Sequence, residues 1–132
     1  MLSLKRQVIC SLLLTFLVLA LPFAAQAQKG TSVVRRVNFP RGRTTAIQRG
    51  SVRRGVSHDY LLRASAGQTM TVHLASSGDV SFSILSPGGE SLADFVRDWS
   101  GELPASGDYR INVLPPTRNS NPAQYTLEVT IR

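Results

Sequence analysis

Seven residues near the end of the chain, Tyr125-Thr126-Leu127-Glu128-Val129-Thr130-Ile131, put an apolar side chain at every second position. A period of two sends successive side chains to opposite sides of extended backbone, so this segment has one apolar and one polar face. The same period returns in Met70, Val72 and Leu74, in Val80, Phe82 and Ile84, and in Tyr109, Ile111 and Val113. Each run is short and ends in turn formers: Ala66-Gly67-Gln68, Ser76-Ser77-Gly78-Asp79, Ser86-Pro87-Gly88-Gly89 and, just before Tyr109, Pro104-Ala105-Ser106-Gly107-Asp108. No stretch shows convincing helical periodicity. Half-apolar strands must bury one face, so the chain is expected to be all-β, an antiparallel β-sandwich of jelly-roll or immunoglobulin-like type, or else a barrel. The order of the strands is not readable from the pattern.

Weaker signals fill in the rest. Residues 33–39 read as a strand with Val33, Val37 and Phe39 on one face, broken by Pro40-Arg41-Gly42-Arg43. A short strand is expected over 44–47, with Gly50 and Gly55 bracketing Ser51-Val52-Arg53-Arg54. Residues 90–102 look irregular, with Leu92, Phe95, Val96 and Trp99 as their apolar anchors. Three prolines make 115–122 a loop, because each removes a ladder donor. The expected core is Tyr60, Leu62, Met70, Val72, Leu74, Val80, Phe82, Ile84, Tyr109, Ile111, Val113, Leu127, Val129 and Ile131.

Residues 1–27 read as an export signal: Lys5 and Arg6, an apolar run over 8–25, then the small-x-small site Ala25-Gln26-Ala27. Cleavage there leaves residues 28–132 as a single β-sandwich domain, free of the membrane and periplasmic or secreted. The lone cysteine, Cys10, leaves with the signal, so packing and not disulfides must hold the domain in an oxidising compartment.

Charge is concentrated at the front. Residues 28–63 carry nine basic groups and one acid, Asp59, whereas 64–132 carry four basic groups and seven acids. Arg35, Arg36, Arg41, Arg43, Arg53 and Arg54 therefore mark a surface for an anionic partner such as an envelope polymer, or else a solvated edge that discourages strand-to-strand aggregation. Nucleic acid is a poor fit, since an exported chain without aromatics among its arginines lacks a stacking platform.

Chemistry is sparse. His58 and His73 stand fifteen residues apart with no acidic cluster at metal-ligand spacing, and no serine sits at a strand–elbow–helix junction. Gly88-Gly89 reads as a turn, and Asp94, Asp98 and Glu102 lack the spacing of a calcium loop. No catalytic residue, metal or cofactor is expected, and the chain reads as a binding protein and not an enzyme.

From Val33 to Ile131 the chain resembles the periplasmic inhibitors of g-type lysozyme. The likeness rests on Val37-Asn38-Phe39, Gly42, Thr44-Thr45-Ala46, Tyr60, Ala66-Gly67-Gln68, Leu103-Pro104-Ala105-Ser106-Gly107 with Tyr109, Val113-Leu114, and the last strand from Tyr125. That family implies a β-sandwich that blocks a lysozyme cleft with a Ser-Gly-x-Tyr loop and a neighbouring arginine-bearing loop. Carried over by position, the resemblance makes lysozyme the partner, Ser106, Gly107 and Tyr109 the first loop, and Arg118, within Thr117-Arg118-Asn119, the second. The Ala-Gly-Gln turn and the Leu-Pro-x-Ser-Gly-x-Tyr corner also resemble bacterial pre-peptidase C-terminal domains, which implies instead a stand-alone accessory sandwich. Ser-Gly-Asp-Tyr before a strand also has the form of a tyrosine corner, in which the phenol ties back to upstream backbone.

Overall fold

Every period-two run becomes a strand in the computed structural model, which describes residues 30–118 and 121–132. The segment read as an export signal lies outside the described residues. In chain order the strands are β1 (Thr31–Arg36), β2 (Thr45–Val52), β3 (Val56–Ala64), β4 (Thr69–Ser76), β5 (Ser81–Leu85), β6 (Ser91–Val96), β7 (Asp98–Glu102), β8 (Gly107–Leu114) and β9 (Ala123–Ile131). No helix occurs among the described residues.

The strands form two sheets, in the orders β1-β3-β8-β5-β6 and β2-β9-β4-β7. All pairs are antiparallel except β1 with β3. After β1 the chain crosses to the other sheet, builds β2, and returns beside β1 in the same direction. A parallel pair needs such a crossover.

The core lies between the sheets. All fourteen residues that the alternation assigned to it are buried, from Tyr60 and Phe82 at 0 % exposure to Ile131 at 9 %. Val37, Ala46, Val52, Ala64, Leu103, Ala123 and Tyr125 join them. Removing even a few large side chains of this kind from water is worth several kcal/mol at about 25 cal/mol per Å² of apolar surface, so the cysteine-free domain rests on packing.

Three elements differ from the sequence expectation. β1 stops at Arg36, although Val37 is buried and its N–H still donates to the Leu61 carbonyl at 2.8 Å. β2 runs straight through Gly50 and Ser51 instead of turning there. A Cβ on Gly50 would lie 2.6 Å from the Tyr125 hydroxyl, so glycine is what lets that ring lie against the strand. Residues 90–102, read as irregular, hold β6 and β7, which are the far edges of the two sheets. β6 pairs with β5 through two register shifts, which breaks the period-two signal.

Two polar groups enter the interior with partners in place. His58, 7 % exposed, shares a 2.6 Å hydrogen bond between Nδ1 and the Tyr125 hydroxyl, and Tyr125 meets the Tyr60 hydroxyl at 2.5 Å. Asp59 accepts from Arg110 at 3.1 Å and from Asn112, its cross-strand neighbour. Among the described residues no buried side-chain nitrogen or oxygen is left without a partner.

The sandwich has two ends. The 37–44 loop and the turns 65–68, 86–90 and 103–106 lie at one; the turns 53–55 and 77–80 and the 115–122 connection lie at the other.

Candidate functional site

At the first end, the connection from β7 to β8 is a pinned corner. Leu103 is 1 % exposed and zips the corner to the neighbouring turn: its N–H donates to the Gln68 carbonyl at 2.8 Å, and its carbonyl accepts from Gly67 N–H at 2.9 Å. Tyr109 lies wholly inside, and its hydroxyl donates to the Ala105 carbonyl at 2.5 Å while accepting from Ala105 N–H at 3.2 Å. This is a tyrosine corner in full. The ring is buried and holds the loop from inside.

Between these anchors Ser106 is exposed. Its Oγ accepts from Ala66 N–H at 2.8 Å, so the hydroxyl is held at a fixed place while its proton and a lone pair still face outward. Gly107 follows with φ +144°, and a Cβ there would come within 2.9 Å of Pro87. Only glycine satisfies both the dihedral and the close approach. Beyond it, Asp108 takes both guanidinium nitrogens of Arg36, at 3.1 and 2.9 Å. The Arg36 hydrogen bonds hold the Asp108 carboxyl below its ordinary pKa, and the same bond raises that of Arg36. Arg36, read as part of an anionic-partner surface, is paired with Asp108; the sequence distance of 72 residues hid the match.

Arg118 lies elsewhere. It is exposed in the 115–122 connection, at the rim of a depression of about 320 Å³ shared with Ser77, Gly78 and Asp79. The eight residues of β8 separate this connection from the corner, which at about 3.3 Å per residue is roughly 25 Å. The fold therefore does not bring Ser106 and Arg118 into one site. Asn119 lies outside the described residues.

Some surface features had no legible signal. Phe95 is 75 % exposed with φ +53°, a conformation that bulky residues rarely adopt. It stands where the β5–β6 register shifts, so neither its exposure nor its strain could be read from neighbours in sequence. His73 meets Asp98 on the surface. Among the described residues no group of three His, Cys, Asp or Glu is placed to hold a metal ion.

The geometry is a two-sheet sandwich with an exposed hydroxyl on a corner that a buried tyrosine pins. No family model and no curated protein sequence matches the chain. Solved structures do. PliG of Aeromonas hydrophila, a periplasmic inhibitor of g-type lysozyme, is 31% identical with a TM-score of 0.71, covering 77% of this chain and 98% of its own. PliG of Salmonella Typhimurium is 28% identical at TM-score 0.58 over 77% of this chain and 100% of its own, and a mutant of the Escherichia coli protein 24% identical at 0.59 over 77% and 99%. The chain belongs to the family of periplasmic inhibitors of g-type lysozyme, which are inhibitor proteins and not enzymes.

Proposed function

We propose that the protein acts outside the cytoplasm, in the periplasm or after secretion, as an inhibitor of g-type lysozyme. The Ser106 corner is the element that enters the enzyme's cleft. The observation that carries this reading is an exposed hydroxyl on a corner whose backbone is tied at Leu103, Ala105 and Ala66. A loop already ordered in the free protein loses little conformational entropy on binding. Glycosidase clefts carry carboxyl groups, to which the Ser106 hydroxyl can donate. Gly107 and the buried Tyr109 keep the corner in place, and Arg118, roughly 25 Å away, is a separate contact at the rim of the interface.

Substitution of Ser106 by lysine tests this. Ser106→Lys places a long cation where the cleft needs a small hydroxyl, and is expected to weaken inhibition of g-type lysozyme by at least about 100-fold. The thermal midpoint should fall only slightly, because a single exposed hydrogen bond to Ala66 is lost. Arg118→Ala should weaken inhibition by no more than about 10-fold, as rim charges do. Full potency in Ser106→Lys would remove the corner from the interface.

A further inference from the structure

β1 and β2 each pair on one flank only, and β2 passes to β3 through the short turn at 53–55, so the two open strands share one lateral edge of the sandwich. Residues 30–54, which build that edge, contain seven arginines and no carboxylate. Arg36 is neutralised by Asp108. Arg35, Arg41, Arg43, Arg49, Arg53 and Arg54 are all exposed, and none makes an ion pair or side-chain hydrogen bond with a described residue.

Residue type and layout narrow what such an edge takes. A chain that only needs to keep its open strands from pairing is served by lysine, the usual edge cation. Here every cation from residue 30 to 132 is arginine, whose planar fork suits paired oxygens of phosphate and carboxylate. The charges are strung out and not gathered: Arg41 and Arg43 precede β2, Arg49 lies within it, and Arg53 and Arg54 follow it. The eight residues of β2 alone span roughly 26 Å. Charges so spaced match repeated charges along an extended polymer better than one small anion.

We propose that the β1–β2 edge is a second binding surface, separate from the Ser106 corner, that takes a linear phosphate-bearing polyanion. The inference stands on the arginine layout and does not depend on lysozyme inhibition. Titration of the purified protein with linear inorganic polyphosphate over a range of salt tests it, with pyrophosphate as the short control. Log affinity should fall with log salt by about 0.7 for each phosphate neutralised, giving a slope of about 3.5 to 4.2 for five or six contacts, and pyrophosphate should bind at least about 100-fold more weakly.

Replacing Arg35, Arg49, Arg53 and Arg54, the unpaired arginines outside the loop at the Ser106 end, by glutamine should cost at least about 30-fold in polyphosphate affinity while leaving the inhibition of g-type lysozyme and the thermal midpoint near wild type. If that variant does not fold, Arg53→Gln with Arg54→Gln, confined to a turn, should still cost about 10-fold. A slope of about 1 or less, equal binding of pyrophosphate, or unchanged affinity in the turn variant overturns the proposal. So does salt-sensitive self-association in sedimentation that the same substitutions abolish without any polyphosphate binding, because the edge would then belong to the acid-bearing β6–β7 edge of a second copy.

Discussion

Tyr109 does two jobs with one side chain. Its ring fills the core, and its hydroxyl closes the Ala105 peptide on both sides. Tyr109→Phe keeps the ring and leaves a backbone donor and acceptor without their partner, so denaturant unfolding should show a loss of about 1 to 3 kcal/mol. His58 is the residue that links stability to pH. Burial, helped by nearby Arg35 and opposed by Asp59, holds its pKa below the ordinary 6.5. The unfolded chain therefore takes up the proton first. The His58 contribution is complete above about pH 6.5 and is lost as pH falls through the window below it, before Asp108, held under 3.8 by Arg36, begins to matter. The thermal midpoint should drop between pH 7.5 and 5, and His58→Gln should flatten that drop. A midpoint that stays level in the wild type would place the ring outside the proton linkage.

Strands were legible where one face is fully buried and illegible where burial is partial. β4, β8 and β9 alternate cleanly because neighbours flank them on both sides and the opposite sheet covers one face. β6 and β7 sit at the sheet edges with half-buried anchors, so their sequences carry little period. Gly50 was misread for a different reason: its cause, the Tyr125 ring, lies 75 residues further along the chain. The Ser106 corner could be read from its motif, but the groups that fix it, Ala66, Pro87 and Arg36, arrive from three other elements. Placing Ser106 and Arg118 at opposite ends needed the direction and length of β8, which no local pattern encodes. Gly50→Ala should drive the Tyr125 ring off the strand and disturb its bonds to His58 and Tyr60. A loss of about 2 kcal/mol is expected in chemical denaturation, whereas a neutral effect would mean that the ring has room to move.

The whole molecule combines a packed, cysteine-free sandwich with two surfaces of different character. One end offers a small neutral hydroxyl on a rigid corner; one lateral edge offers unpaired arginines. On the proposed readings, the corner is held for a lysozyme cleft and the arginine edge serves a second, phosphate-bearing partner. Cell-wall lysis by g-type lysozyme, titrated with the purified protein alongside c-type and i-type enzymes, tests the central claim most directly. Stoichiometric inhibition of the g-type enzyme, with the other two unaffected, is the expected result. Undiminished lysis by the g-type enzyme at excess protein would contradict it and leave the Ser106 corner as a fold-holding element alone.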